Sequence, residues 1–347
     1  MAAWPEHACY TFSFMRIFIL MLALVLTLPA SAQHQLFACV SNSKGYVVGA
    51  KLQPSGVFRK TDSGGWEHLG FNHPFTSALA LSRVDGRTMY LAAGNGLIRL
   101  GIPGSQDRWK ILTGSDVTEL RDVTMDPHSA ETIYFTHTRG IAVTHDSGAH
   151  WLSASGDLRH RYTESVRVDR DKSNVLLAAT EAGLFRSEDA GTHWALAGAG
   201  GFETLRVEQS PSESCRWLAT TELGGFFASA DCGKSFENVG GQVAVERSVY
   251  DLSWDALHPH QVAAAGWGFG VAVSVDDGAT WEFRNVGLPR NDVWSIAWDP
   301  DHAGRIYASV HEEGVYVSQD SGRSWKLDGL PGTAVSRFYF AASEGSR

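Results

Sequence analysis

From about residue 35 onward the chain is a succession of short apolar runs, each bounded by Gly, Pro, Asp, Asn or Ser. The clearest series is Val293-Trp294-Ser295-Ile296-Ala297-Trp298-Asp299-Pro300, then Arg305-Ile306-Tyr307-Ala308-Ser309, then Gly314-Val315-Tyr316-Val317-Ser318. Short runs rich in β-branched and aromatic residues, punctuated by turn residues, predict β-strands. Leu120-Arg121-Asp122-Val123-Thr124-Met125-Asp126-Pro127 and Val249-Tyr250-Asp251-Leu252-Ser253-Trp254 repeat the first segment. Each unit is therefore expected to hold four antiparallel strands: an inner strand, an Asp-Pro-type turn, a second strand, a glycine turn, a third strand, a tight turn and an outer strand.

The tight turn carries a motif, Ser/Thr-x-Asp-x-Gly-x-x-Trp/Phe. Five copies stand in register: Thr144/Asp146/Gly148/Trp151, Ser187/Asp189/Gly191/Trp194, Ser229/Asp231/Gly233/Phe236, Ser274/Asp276/Gly278/Trp281 and Ser318/Asp320/Gly322/Trp325. The closing aromatics step by 43 (194−151), 42 (236−194), 45 (281−236) and 44 (325−281), and Trp109 and Trp66 extend the rhythm backwards by 42 and 43. Seven aromatics thus mark seven units. The first unit has a shortened motif, Asp62-Ser63-Gly64-Gly65-Trp66, and the second keeps the Trp without the pattern. A period of about 40–45 residues built from short strands signals a β-propeller. Within the motif, Asp is expected to accept backbone N–H groups two or three residues on, and Gly to supply positive φ. The aromatic is expected to anchor the outer strand by burial.

The first unit lacks an inner strand of the repeat type. Ala334-Val335-Ser336-Arg337-Phe338-Tyr339-Phe340, at the other end of the chain, fits that pattern. The expected fold is an all-β, seven-bladed β-propeller of four-stranded antiparallel blades, the first completed by the C-terminal strand. Closure of that kind removes two open sheet edges. Length alone would predict two domains for 347 residues, but the repeats make residues 33–347 one propeller domain.

Residues 1–32 read as a signal peptide, with Met15 a possible true start. Met15-Arg16 opens an apolar run, Ile17 to Leu28, and Ala30-Ser31-Ala32 is a small-residue cleavage site before Gln33. The run is short for a transmembrane helix, so no stable membrane span is expected after cleavage, and the location is secreted or periplasmic. An uncleaved anchor and a lipid anchor on Cys39 are the alternatives. Cleavage leaves Cys39, Cys215 and Cys232. Cys215 and Cys232 fall in turns at the same end of the fifth unit, where a disulfide and two unpaired thiols are both open readings. A net charge of −9 without any Lys/Arg run argues against a nucleic-acid partner. No metal-ligand spacing, phosphate loop or cofactor motif is present, so no metal or cofactor is expected.

The end of the propeller away from the motif turns is the expected working face, because its loops differ from unit to unit. Its glycine turns offer Asn95, His137 with Arg139, Glu181, Glu222, Trp267 with Phe269, and His311 with Glu312 and Glu313. The inner strands begin with Thr76, Arg121, Glu164, Glu203, Tyr250, Trp294 and Ser336. One step deeper stand Ser77, Asp122, Ser165, Thr204, Asp251, Ser295 and Arg337, a polar column expected to line water. The candidate ligand-binding residues are Arg121, His137, Arg139, Glu181, Glu222, Trp267, Phe269, Trp294, His311, Glu312 and Arg337, with Trp267 and Phe269 read as an aromatic platform. The candidate catalytic residues are Asp122, Tyr250, Asp251 and Glu203.

The motif resembles the Asp-box (bacterial neuraminidase-type) repeat of sialidases and related propellers. That resemblance implies a fold element shared by enzymes and non-enzymes. Catalytic sialidases have six blades and an Arg-Ile-Pro motif, neither of which is found here. The inner-strand Asp-Pro turn is similar to xyloglucan-cleaving glycosidases, which place acid and base carboxylates between two seven-bladed rings. The whole mature chain resembles the photosystem II stability/assembly factor type of propeller, which implies an exported scaffold. The expected function is an exported, non-catalytic binding or assembly scaffold, a monomer apart from its partner, recognising a protein or glycan. The alternative is a carbohydrate-active enzyme, a glycoside hydrolase, sialidase-like enzyme or polysaccharide lyase, using channel-mouth carboxylates, Arg and Tyr.

Overall fold

The computed structural model describes residues 1, 34–42, 44, 53–82, 88–101, 109–241, 243 and 245–342. The expected signal peptide beyond residue 1, the expected start at Gln33 and the degenerate stretch before Trp109 lie outside the described residues. Among those described are 28 strands and a single 3-10 turn, Gly156–Leu158. The strands group into seven four-stranded antiparallel meanders, and we take each meander as one blade. Blade 1 runs Ala334–Ala342, His34–Ser41, Gly56–Lys60, Trp66–Asn72. The inner strands of blades 2 to 7 are Thr76–Leu81, Asp122–Met125, Thr163–Asp169, Thr204–Gln209, Val245–Trp254 and Val293–Trp298.

The C-terminal strand completes the first sheet, with pairs from His34↔Ala342 to Ser41↔Ala334. The junction is fastened by side chains as well. Trp66 Nε1 of blade 1 donates to Asp328 of blade 7 at 3.1 Å, and Lys60 pairs with the same carboxylate. His34 N–H and Nδ1 both reach Asp301.

Strands buried on both faces read as continuous apolar runs rather than alternating ones, and Val262–Trp267 is such a run. Successive side chains still point to opposite faces. Ala263 and Ala265 pack toward blade 7, while Val262 and Ala264 pack toward blade 5. Among the described residues the buried apolar side chains form seven clusters, each between two consecutive blades, including one between blades 7 and 1. The core is therefore a ring of interblade layers, and no blade has an interior of its own.

The five full motif turns share one bonding scheme. In blade 4, Ser187 Oγ accepts from Gly191 N at 2.9 Å and donates to Asp189 Oδ1 at 2.9 Å. Asp189 Oδ1 accepts the N–H of His193, four residues on rather than the two or three expected. Its Oδ2 bonds the side chain of the residue before the aromatic. That residue is His150, His193, Ser235, Thr280 or Ser324, a fifth constrained position, seventh in the motif and absent from the sequence pattern. Two consecutive residues are left-handed, since the position before each Gly also has φ of 56–65°. Cys232 is one of these, and it forms a disulfide with Cys215. The motif tryptophans reach backwards as well as inward. Trp151, Trp194 and Trp325 donate Nε1–H to Leu112, Ala154 and Arg284 carbonyls of the preceding unit. Each thus staples two blades.

These turns make the fold acid-sensitive in a defined window. The carboxyls of Asp189, Asp231 and Asp320 are held down from 3.8 to about 2. For Asp189 the His193 N–H is the main cause. For Asp231 and Asp320 slight burial works upward and is outweighed by donors from Ser235, Ser229, Ser324 and Ser318. A carboxyl with a depressed folded-state pKa contributes stability above its unfolded value and loses it as pH falls through the folded value. Urea unfolding at a series of pH values is therefore expected to show stability falling from about pH 4 to about pH 2. A triple Asp189→Asn, Asp231→Asn, Asp320→Asn variant is expected to start less stable at neutral pH and fall with a shallower slope. An unchanged slope would contradict this assignment.

Candidate functional site

One extra residue on one strand of an antiparallel pair kinks it and re-aims a side chain. The inner strands repeat this device at the same height. The register skips one residue between Thr76 and Ala78, Thr163 and Ser165, Thr204 and Arg206, Val249 and Asp251, Val293 and Ser295, and Val335 and Arg337. In blade 3, Asp122 pairs with Thr136 while the Arg121 N–H donates to the same residue's carbonyl. The extra residues are Ser77, Arg121, Glu164, Leu205, Tyr250, Trp294 and Ser336. All seven line a single central cavity of about 830 Å³. Ser41, Pro74, Phe75, His311 and Arg337 contribute to the same wall.

This corrects the sequence register in two blades. Ser77 and Leu205 hold the positions expected of Thr76 and Glu203, because the bulge, not the first polar residue of the strand, selects the inward side chain. Thr76 also touches the cavity, 3% exposed, with its Oγ1 unpaired.

The deeper column is corrected too. It splits: Ser77 and Arg337 reach the cavity, while Asp122, Ser165, Thr204, Asp251 and Ser295 are buried and do not line water. Asp122 Oδ2 accepts from Arg167 Nη1 at 2.6 Å and from Arg206 Nη1 at 3.3 Å. Arg167 also clamps Glu208 through Nε and Nη2, and Arg206 Nε lies 2.8 Å from Glu208 Oε1. Arg206 Nε is 3.6 Å from Asp251, whose Oδ1 takes Arg337 and whose Oδ2 takes Ser295 Oγ at 2.7 Å. Three guanidinium groups and three carboxylates from blades 1, 3, 4, 5 and 6 thus meet at the axis. Burial, with Arg167 and Arg337 beside it, pulls Arg206 down to about 10. Burial alone would raise Glu208, but Arg167 and Arg206 bring it down to about 2. Asp122 and Asp251 are therefore buried ion-pair partners and not groups open to the cavity. Arg167, Arg206 and Glu208 were missed in the sequence; charges alternating with valine in Arg206-Val207-Glu208 were the available signal.

Above this network, Arg121 meets Glu164 in a two-bond fork of 3.1 and 3.0 Å and lies over the Tyr162 ring. Tyr250 stacks on Trp294 with centroids 4.8 Å apart and planes at 12°. Trp267 meets the edges of Trp294 and His311, and it is 43% exposed. Trp294 Nε1 donates to His311 Nδ1 at 2.7 Å, which places the neutral imidazole proton on Nε2. Phe269 is 1% exposed between Phe226 and Phe283, so it belongs to the core and not to a platform with Trp267.

Glu203 and Glu222 adjoin each other at the rim, where Glu222 N–H donates to the Glu203 carbonyl at 2.8 Å. Glu181 occupies the glycine turn of blade 4, its N–H on Tyr162. His137 and Arg139 sit apart: His137 lies against Phe135, and Arg139 donates to the Asp116 carbonyl. Burial, then Arg139, lowers the His137 pKa. Glu312 is left-handed at the tip of the blade 7 turn, with φ 55°. Far from the cavity, Glu213, His260 and Asp277 gather within 4.8 Å, but Arg216 approaches both carboxylates and supplies the positive charge there.

No protein-family model matches the chain, and no curated protein matches it. Solved structures do. An ancestral GH74 enzyme superposes with TM-score 0.61 at 14% identity over 78% of this chain and 39% of that one. The extracellular domain of a putative one component system, BT4673 from B. thetaiotaomicron, gives 0.60 at 15% identity over 88% and 39%. YCF48 bound to D1 peptide gives 0.54 at 16% identity over 74% and 84%. At these identities the likeness shows the β-propeller fold alone. The chain spans under half the length of the GH74 and BT4673 structures. Among the described residues no helix is long and apolar enough to cross a membrane.

Removing one member of a buried ion group leaves uncompensated charge, at a cost of about 3–5 kcal/mol. Glu208→Gln is expected to lower unfolding free energy by that order. Glu164→Gln, whose partner Arg121 is 40% exposed and so remains solvated when left alone, is expected to cost about 1 kcal/mol or less. Urea denaturation of both variants checks the contrast, and equal losses would contradict it.

Proposed function

We propose that this chain is an exported, non-catalytic binding or assembly scaffold that recognises a protein or glycan in the central cavity, at the end opposite the repeat turns. The observation that carries the reading is the convergence of one bulged side chain from every blade on a cavity of about 830 Å³. Its wall combines an aromatic side, Tyr250 and Trp294, with a few oriented polar groups, which is how ligand pockets are built. Export is supported by the N-terminal sequence pattern and by the Cys215–Cys232 disulfide, which suits an oxidising compartment. The motif geometry supports the Asp-box resemblance. We read the protein as a monomer without a cofactor or metal.

The enzyme alternative has less support at this cavity. Paired-carboxylate glycoside hydrolysis needs two carboxyl groups about 5–10 Å apart flanking the bond. Among the residues lining the cavity, the carboxylate is Glu164, and Arg121 clamps it. A sialidase-like arginine cluster around Tyr250 is not favoured either, since Arg121 and Arg337 are each bound to a carboxylate.

Labelled protein tested on glycan and peptide arrays is expected to retain at least one class of ligand. Trp294→Ala is expected to weaken that binding by about tenfold or more, a loss of about 1.4 kcal/mol. Wild-type retention by Trp294→Ala, or glycan cleavage abolished by Glu164→Gln, would contradict the proposal.

A further inference from the structure

Among the described residues of the cavity wall, every ionised side chain is already matched. These are Arg121, Glu164 and Arg337. Arg121 and Glu164 hold each other in the fork, and Arg337 is bound by Asp251 of the buried network. His311 accepts the Trp294 indole N–H on Nδ1, so its ring enters the wall neutral, with Nε2–H as the donor. Asn42, Ser77 and Tyr250 add an amide and two hydroxyls, all uncharged. A lone ionic group brought into this space would lose water without gaining a free counter-charge, which is costly.

The wall is also aromatic in two places. Phe75, on the link into blade 2, is 70% exposed although it belongs to the lining. The Tyr250–Trp294 pair stands in blades 6 and 7. A ring as open as Phe75 has a bare face, and covering that face removes apolar surface from water. The polar groups are not set along one line. The bulges aim them inward from separate strands, at Ser77 in blade 2, Arg121 in blade 3 and Glu164 in blade 4. A peptide main chain lays out one donor and one acceptor per residue along an extended strand. A sugar ring instead carries hydroxyls around its whole rim, each able to donate and accept. It also has a C–H face that lies flat against an aromatic ring.

We propose that the cavity takes an uncharged oligosaccharide, with a pyranose face on Phe75, another ring beside the Tyr250–Trp294 pair, and hydroxyls bonded to the Arg121–Glu164 fork, Ser77 and His311 Nε2–H. The inference rests on the binding reading above and deepens it by naming the ligand class. A volume of about 830 Å³ lies in the range of ligand pockets and has room for more than one ring. The fork suits a neutral partner. Arg121 keeps N–H donors beyond the two given to Glu164, and its side chain is 40% exposed. A sugar hydroxyl bonds to these without disturbing the pair. A ligand carboxylate or ammonium would instead compete for one of its members.

The test is isothermal titration calorimetry of the purified protein at about 0.15 M salt, where diffuse charge attraction is screened. The neutral probes are cellohexaose, mannohexaose and N-acetylated chitohexaose. Hexagalacturonate and the de-acetylated glucosamine hexamer are their anionic and cationic counterparts. At least one neutral hexamer is expected to bind, and both charged ones to bind at least about tenfold more weakly. Phe75→Ala is expected to weaken the neutral hexamer by about tenfold, and Ser77→Ala by about threefold. Phe202→Ala removes another exposed aromatic, 40% exposed but not in the cavity lining, and is expected to bind as wild type. Wild-type affinity in Phe75→Ala or Ser77→Ala overturns the proposal, as does equal weakening by Phe202→Ala. Binding confined to the charged hexamers, or to array peptides and sensitive to Trp294→Ala, also overturns it but keeps the scaffold reading. If neither saccharide nor peptide binds, both readings fall.

Discussion

Arg337 is carried by the last strand of the chain, in blade 1, and is bound by Asp251 of blade 6, eighty-six positions earlier and with blade 7 between them. That contact ties backbone closure to the charge network that fills the channel. An ionised side chain held away from water is costly unless a partner of opposite sign and further donors surround it. Three guanidinium groups and three carboxylates satisfy one another only when the inner strands bearing them stand at fixed heights. The network therefore sets the register of the blades against each other, and it forms the bed on which the cavity rests.

The two ends of each blade solve different problems. At one end, five nearly identical turns bond the same way, and each tryptophan reaches the unit before it. Repetition there makes identical interfaces, as a repeat architecture requires. At the other end, a recurrent bulge aims one side chain per blade at the axis, and these side chains are all chemically different or differently partnered. The bulge is a backbone feature shared by the blades, while its occupant is free to vary. Structural constancy and ligand chemistry are thereby separated along the length of a single strand.

Much of this was legible in the sequence. The strand pattern, the meander order and the docking of Ala334–Ala342 beside the first blade follow from periodicity and from the motif. What was illegible is equally specific. Nothing in Thr76-Ser77-Ala78 or Glu203-Thr204-Leu205 marks which residue bulges, because a bulge is a pairing event between strands and leaves no composition signature. Asp122 and Asp251 were seen as polar residues at a channel, but their partners lie 45 and 86 positions away, out of reach of any local pattern. Phe269 looked equivalent to Trp267, yet the two flank the left-handed Gly268 in the turn between strands, and the chain reversal puts Phe269 in the core and leaves Trp267 in solvent. The constrained seventh motif position escaped notice because His, Ser and Thr share a hydrogen-bonding role without looking alike.

A double-mutant cycle on Arg337→Met and Asp251→Asn, read by urea unfolding, probes the link between closure and channel most directly. If the last strand is held through the charge network, the two substitutions are coupled by about 1 kcal/mol or more. Additive losses, within about 0.5 kcal/mol, would mean that closure is held by backbone pairing and packing alone and that the network does not set the ring.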